Sequence, residues 1–416
     1  MSSREGRRTL ICISQVYVPD PTSVGQHMAD AAEAMAEQGY RVVVYTASRG
    51  YDDPTQRYPL REERNGVTIR RIPFASFGKR NLVTRVVAQL SFLAQSALRA
   101  SFTRRPAGLL TTTSPPMASL AALLLRRIRG IPIVYWAMDI NPDQAIALGE
   151  VSADSLPARL LGHANQAVLD KAGAVITLDR FMAERLMQKA DLGDRLHILP
   201  PWPHEQHITP IEHPGNPFRN QYARDGELVV LYSGNHSLAH PLETLIDAAI
   251  QMRNRSDVKF LFVGGGLAKP TVDAAIEQHK LQTAASLPYQ PLDQIRYSLS
   301  AGDVHIAVIG NEMVGCVHPS KVYAAMAAQR PVLLIGPAES HVGDLIEEYR
   351  IGWQVDHGDV DRLTELLTRL ADHPEEPTEA GARAREVVVH HLSRANLTDS
   401  FTSIVAGALN PPTASR

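Results

Sequence analysis

Cysteine is almost absent from this chain, with only Cys12 and Cys316 among 416 residues. Two thiols so far apart in sequence make neither a metal-ligand motif nor a disulfide framework, which fits a reducing compartment. An excess of charge of one sign is missing too: 42 basic against 44 acidic residues leave a formal net charge of −2. That balance argues against nucleic acid as a main partner. Long apolar runs are also lacking. The longest, Met117–Leu125, stops at Arg126-Arg127-Ile128-Arg129, well short of the ~18 apolar residues of a spanning helix. The start is basic, but the apolar run Leu10–Val18 is short and broken by Ser14 and Gln15, so it reads as a first strand rather than a signal peptide. A cytoplasmic protein is expected, able to touch a membrane but not to cross one. Neither an internal repeat nor a low-complexity segment is visible. What is present, 44% apolar and 21% charged residues, is material for two or three globular domains.

Strand-like and helix-like segments alternate along the first half. Leu10–Val16 is rich in β-formers, Gln26–Gln38 carries Met28, Ala31, Ala32 and Met35 at helical spacing, and Gly39 stops it before the strand Arg41–Tyr45. This is a βαβ unit with a glycine C-cap. Val67–Ile72, Leu109–Thr113, Ile131–Trp136 and Ala174–Leu178 continue the series. Apolar strands alternating with helices predict a parallel sheet covered on both faces. Prolines without a clear period, from Pro200 to Pro217, mark a boundary, so the reading is a domain over 1–203, a linker over 204–226 and a second domain over 227–391. The pattern restarts with Glu227–Tyr232, Val258–Val263, Val304–Val308 and Pro331–Ile335. Two such doubly wound α/β halves predict a ligand in the cleft at the carboxyl ends of their strands.

The segment 315–335 carries the densest chemical signal. A short loop ends in Pro319-Ser320-Lys321, a helix of small and apolar residues follows, and an apolar strand begins at Pro331. Proline suits the first turn of a helix, whose free N–H groups favour a bound anion. Lys321 adds a full charge at that end and Ser320 a hydroxyl donor. These residues fit a phosphate cradle, and equally an ordinary capped helix. Pro-Ser-Lys-Val-Tyr-x-x-Met-Ala-Ala-x-x-Pro-Val resembles the donor-site segment of the retaining GT-B glycosyltransferases. It looks closest to the bacterial, family 4-like branch that builds cell-surface polysaccharides and lipid-linked glycans. The resemblance runs over nearly the whole chain. It implies two Rossmann-like domains facing a cleft and a final helix, 392–409, crossing back to the first domain. It also implies a hexosyl- or N-acetylhexosaminyl-transferase with no metal or cofactor, a nucleoside-diphosphate sugar (a UDP-sugar first) as donor, and a lipid-linked or saccharide acceptor.

On the donor side, Leu231-Tyr-Ser-Gly-Asn-His236 is similar to the family's Tyr-Ser-Gly-Asn segment, where Gly234 lets the backbone approach the sugar diphosphate. Asn235 belongs to the same turn. His236 and His240 stand where relatives place an arginine and a lysine. They are read as neutral donors that charge as pH falls toward ~6.5, or as exposed loop histidines. Gly264 and Gly265, in Phe262-Val-Gly-Gly-Gly266, match a second glycine turn. Tyr289 and Gln290, in Leu287-Pro-Tyr-Gln-Pro-Leu292, resemble the segment that meets the nucleotide base, with Tyr289 a stacking ring or a core residue. The family's E-x(7)-E acids fall on Cys316 and Ala324, neither of which offers a carboxylate. Glu312 and Glu339 are possible substitutes, or solvated loop acids.

On the acceptor side, Tyr17-Val-Pro-Asp-Pro-Thr-Ser-Val-Gly25 is similar to the family's Pro-Asp-Pro…Gly loop, and implicates Asp20, Ser23 and Gly25. Asp139, in Tyr135-Trp-Ala-Met-Asp139-Ile-Asn-Pro-Asp143, is the residue chosen to orient or deprotonate the attacking hydroxyl, with a helix cap as the alternative. Asp143 reads as structural. The only Asp-x-Asp, Asp359-Val-Asp361, reads as a helix cap and first turn, not a metal site. Leu82–Leu98 has an apolar face ringed by Lys79, Arg80, Arg85, Arg99, Arg104 and Arg105. It fits either a helix packed on the sheet or, through 79–105, contact with an anionic membrane at the cytoplasmic face. The functional readings are therefore a glycosyltransferase first, then a nucleotide-sugar epimerase or hydrolase of the same fold, then a non-catalytic GT-B scaffold subunit.

Overall fold

Consecutive apolar residues with β-branched side chains form strands buried on both faces, as in the five-residue first strand, where every position is buried. The computed structural model describes residues 8–20, 22–50, 53–73, 82–203, 208–291 and 293–410, without the side chains of 82–85. Its first sheet contains β1 (Thr9–Ile13), β2 (Arg41–Ala47), β3 (Arg61–Arg64), β4 (Val67–Ile72), β5 (Pro106–Thr112), β6 (Ile133–Ala137), β7 (Ala174–Thr177) and β8 (Leu196–Ile198). Their order is β3-β4-β2-β1-β5-β6-β7-β8, parallel except for the β3–β4 pair. The second sheet contains β9 (Leu228–Asn235), β10 (Val258–Gly265), β11 (Ala284–Leu287), β12 (Val304–Val308), β13 (Val332–Ile335) and β14 (Gly352–Val355). Its order is β11-β10-β9-β12-β13-β14, parallel throughout. Both are doubly wound α/β sheets. In the first unit, α1 (Ser23–Glu37) follows β1, while α2 (Leu82–Ser101) and α3 (Ala118–Arg129) flank β5 in sequence and pack side by side.

The expected domain limits need two corrections. The described part of 204–226 is not a linker, because the second unit begins at Trp202. Asn216 caps the short helix Pro217–Tyr222 by accepting from the Phe218 and Arg219 N–H groups. Phe218 is buried against Val229, Leu231 and Leu261. Arg219 donates to the Ala301 carbonyl at 2.6 Å and to Asp303 at 2.9 Å. One capped turn anchored by tertiary contacts needs no sequence period, which is why its prolines resemble a linker. The second unit is also interrupted, since Gly315–Val317 belong with the first.

The final helix is Arg394–Leu409, and from Leu397 onward it is part of the first unit. Phe401 is fully buried with its ring centroid 4.5 Å from that of Trp136. Gly108 makes room for Leu409: a Cβ there would lie 2.3 Å from Leu409 Cδ2. Phe401→Ala should therefore destabilise the first unit by about 3–5 kcal/mol, read as a lower urea midpoint of its unfolding transition.

Candidate functional site

Strands β9 and β10 stay paired to their last residues, Gly234 opposite Gly264 and Asn235 opposite Gly265, which sets two glycine turns side by side at the carboxyl edge of the second sheet. The approach is too close for any side chain. A Cβ on Gly264, whose φ is +134°, would lie 2.0 Å from the Gly234 carbonyl oxygen. The His236 N–H donates to the Gly265 carbonyl at 2.8 Å, and the Ala268 N–H to the His236 carbonyl at 2.8 Å.

Lys321, the first residue of the helix Lys321–Ala327, reaches into this corner. Its Nζ donates to the Tyr232 hydroxyl at 2.8 Å and lies 4.0 Å from that ring's centroid. The Tyr232 hydroxyl in turn donates to the Asn235 carbonyl at 2.8 Å. Its one proton is thereby committed to the carbonyl, leaving lone pairs for the ammonium. Gly234 faces the same group, since a Cβ on it would lie 3.4 Å from Nζ. Burial pushes the Lys321 ammonium down to about 7. Burial thus brings this amine near neutrality beside the two glycine turns.

The histidines behave differently from expectation. Burial, then the nearby Lys269, pushes His236 down to about 4, and burial, then Lys321, pushes His240 down to about 3. Both are neutral at pH 7, so neither titrates near 6.5. His236 is fully buried and its Nδ1 lies 3.1 Å from the Gly234 carbonyl, which places its single proton on Nδ1 and engages it there. It shapes the turn edge-on to Tyr232. His240 is partly buried beyond the same turn.

A cavity of ≈ 220 Å³ opens beneath the turns, lined among others by Ser233, Gly234, Tyr289, Gln290, Lys321 and Ala324. Tyr289 is 59% exposed, so it is not a core residue. Its hydroxyl donates to the Gly265 carbonyl at 3.0 Å, which holds the ring over that glycine. The Gln290 amide donates to the Pro288 carbonyl at 2.9 Å. Pro319 precedes the helix rather than occupying its first turn, and Ser320 is the cap residue without a side-chain cap bond. The Val322 and Tyr323 N–H groups turn back on the Pro319 and Ser320 carbonyls at 3.3 and 3.2 Å. Fewer amides face outward than a free helix start would offer, so Lys321 carries the charge. Cys316 is not beside this cavity: it is fully buried, its carbonyl accepts from the Ile140 N–H at 2.8 Å, and it packs with the first unit. Glu312 and Glu339 are exposed.

Sequence reasoning passed over two residues. Tyr232 reads as one more apolar strand position. Lys269, which opens the helix after the glycine triplet, donates to Ser286 Oγ and to the Leu287 carbonyl; a lysine three residues beyond Gly266 was its only signal.

In the first unit, Asp139 follows β6 and is partly buried. The Met138 and Asp139 N–H groups donate to Thr113 Oγ1 at 3.3 and 3.1 Å, and Asp139 bridges antiparallel to Val317. It does not cap the helix Asp143–Ala147, whose cap position is Pro142. Asp143 accepts from Lys189 at 2.7 Å with Arg185 at 3.9 Å, the structural role its sequence suggested. Asp20 is buried, and its N–H donates to the Tyr17 carbonyl at 3.1 Å. Ser23 opens α1 just after the cap residue Thr22, with Oγ 3.3 Å from His27 Nδ1. A Cβ on Gly25 would lie 2.8 Å from Thr22 Oγ1 and 3.2 Å from the Tyr17 backbone, so the chain's own loop requires a glycine there. Asp359 caps the helix Val360–Asp372 by accepting from the Arg362 N–H at 3.1 Å.

Residues 22–202 match the family model described as glycosyl transferase 4-like domain, and residues 216–387 match that of the glycosyl transferases group 1. The chain is 26% identical over 343 residues to the probable glycosyltransferase WbjE of Pseudomonas aeruginosa, covering 81% of this chain and 84% of that one. It is 24% identical over 405 residues to the putative colanic acid biosynthesis glycosyl transferase WcaI of Escherichia coli K12, covering 94% and 98%. Among solved structures, Anabaena Alr3699/HepE in complex with UDP and glucose is similar, with a TM-score of 0.72 at 14% identity over 96% of this chain and 100% of that one. With a 4-like half followed by a group 1 half, on two parallel α/β sheets, the chain belongs to the glycosyltransferases of GT-B fold.

Proposed function

We propose that this enzyme moves a sugar from a nucleoside-diphosphate sugar, a UDP-sugar first, to a hydroxyl of a lipid-linked or polysaccharide precursor, with retained configuration and without a metal. The observation that carries the reading is the Lys321 ammonium beside the paired glycine turns. As the glycosidic bond stretches, the departing diphosphate gains negative charge. Lys321 and the turn amides stabilise it in place, with little reorganisation. Asp139 orients the acceptor hydroxyl and takes its proton. The UDP-glucose complex of HepE supports the choice of donor, and the naming of WcaI for colanic acid biosynthesis supports a polysaccharide precursor as acceptor. Among the described residues no helix is long and apolar enough to cross a membrane. Lys79 and Arg80, part of the expected membrane contact, lie outside those residues, as does the Arg85 side chain. The cytoplasmic side is proposed for the reaction because two widely separated cysteines fit a reducing compartment.

The test is incubation of the purified protein with a panel of nucleotide-sugars, in chelator, with and without membrane lipid extract. Transfer that requires the extract supports the reading. Conversion of the sugar without an acceptor would favour an epimerase or hydrolase instead, and a requirement for added divalent metal would remove the metal-independent step.

A pH dependence follows. The free enzyme holds Lys321 near 7, while a bound diphosphate favours the charged form, so donor binding takes up a proton above neutrality. Affinity for a UDP-sugar, whose diphosphate stays fully ionised across this range, should be flat below about pH 6.5 and weaken toward about tenfold per unit above pH 7.5. The histidines, neutral throughout that window, add nothing to the slope. Calorimetric titration across the range, in buffers of different ionisation enthalpy, measures both affinity and proton uptake; a flat profile with no uptake rejects Lys321 as the phosphate-facing cation.

A further inference from the structure

We propose that the donor site leaves the ribose 2′-hydroxyl unread, so that sugars carried on 2′-deoxynucleoside diphosphates bind as donors alongside UDP-sugars. This rests on the proposed seat of the diphosphate at Lys321 and widens the class of donor that the seat takes. Of the seven residues of the helix Lys321–Ala327, five are buried. The two that are not, Lys321 and Ala324, stand three apart and share one face of the helix. Both line the cavity of ≈ 220 Å³ beneath the glycine turns. Elsewhere in the same wall, the exposed Tyr289 ring, held over Gly265 through its hydroxyl, is an aromatic surface on which a base stacks. A nucleotide with its diphosphate at Lys321 and its base on Tyr289 lays its ribose between them, along the helix face that carries Ala324.

What meets the ribose there is a methyl group. A ribose diol gives up hydrogen bonds to water on entering a site, and α/β folds that read it commonly answer with a carboxylate. Among the described residues that line the cavity there is no aspartate or glutamate, and Ala324 is accompanied there by Val322, Ala325 and Val332. Polar hydrogens in the lining are engaged by the chain itself. Ser298 Oγ donates to the Ile295 carbonyl at 3.1 Å, His305 Nε2 lies 2.8 Å from the Leu299 carbonyl, and the Gln290 amide is bonded to the Pro288 carbonyl. Affinity then comes from charge at one end of the nucleotide and ring contact at the other, with apolar contact between. A site built to hydrogen-bond a hydroxyl rejects the analogue lacking it by orders of magnitude, whereas an apolar wall separates the two only weakly.

Calorimetric titration of the full chain with UDP and with 2′-deoxy-UDP, in chelator at about pH 7, compares two ligands that differ by one oxygen. The wild type should bind them within about fivefold of each other. Ala324→Glu should create a preference for UDP of about tenfold or more, because the hydroxyl then has an anionic acceptor. The ratio of the two affinities is what is read, so a general weakening from a carboxylate near Lys321 cancels. A larger wild-type preference for UDP would overturn the proposal and leave the diphosphate seat standing. So would a folded Ala324→Glu variant that binds UDP with the ratio unchanged, since the ribose would then lie elsewhere. Binding of neither nucleotide by the wild type would remove the seat at Lys321 and the proposal with it. Should the glutamate variant melt early, the wild-type ratio alone decides.

Discussion

Lys321→Met is expected to weaken UDP binding by about 100-fold or more, to reduce transfer by a similar or larger factor, and yet to raise the melting midpoint of the ligand-free enzyme. The two effects share one cause. A lysine whose ordinary value of 10.5 falls to about 7 on folding is a cation the fold disfavours. Between those values the unfolded chain binds more protons than the folded one, so stability from this group rises with pH. Its cost is fully present below about pH 7 and gone above about pH 10.5. Methionine fills a similar volume without charge. The variant should therefore melt higher than wild type at pH 6, and the gap should close as pH approaches 10. Loss of binding together with a lower midpoint at all pH values would mean that Lys321 supports the fold instead. Unchanged UDP affinity would remove it from the donor site.

The strands buried on both faces were the legible part of this fold. Runs such as Val42–Val44 or Phe260–Val263 are apolar without alternation because helices cover both sides of a parallel sheet. What escaped has physical reasons. Strand β3 is Arg-Glu-Glu-Arg, an edge that among the described residues pairs only with β4 and carries no core face. The helix Pro217–Tyr222 exists through contacts with residues some eighty positions away, such as Ala301 and Asp303. At the site, the glycine turns and Lys321 could be named from motif alone, since close backbone approach leaves a residue-specific mark. Tyr232 could not, because its place there comes from a hydroxyl that meets a lysine 89 positions later. The histidine ionisation was misread for a similar reason: a sequence supplies the reference value, and burial supplies the shift. Cys316 shows a further limit. Motif spacing gave it a place in the donor segment, but spacing does not say which unit a loop packs against, and its carbonyl bonds to Ile140.

Asp139→Asn should leave UDP affinity unchanged and slow transfer by about 10²–10⁴. Asparagine keeps the shape of the side chain, and the backbone contacts that position 139 makes are independent of its carboxylate: the N–H to Thr113 Oγ1 and the bridge to Val317. What is lost is the capacity to accept a proton. A purely structural aspartate would give another pattern. Thr113→Val strips the acceptor from two N–H groups at once, so it loosens the same turn without touching the carboxylate. If Asp139 acts on the acceptor, the asparagine variant loses turnover at an unchanged melting midpoint, while the valine variant loses stability first. Its activity should then recover at lower temperature, and that of the asparagine variant should not. Matching losses of midpoint and rate in both would make Asp139 a residue of the turn, and full transfer by the asparagine variant would move the acceptor chemistry to another side chain.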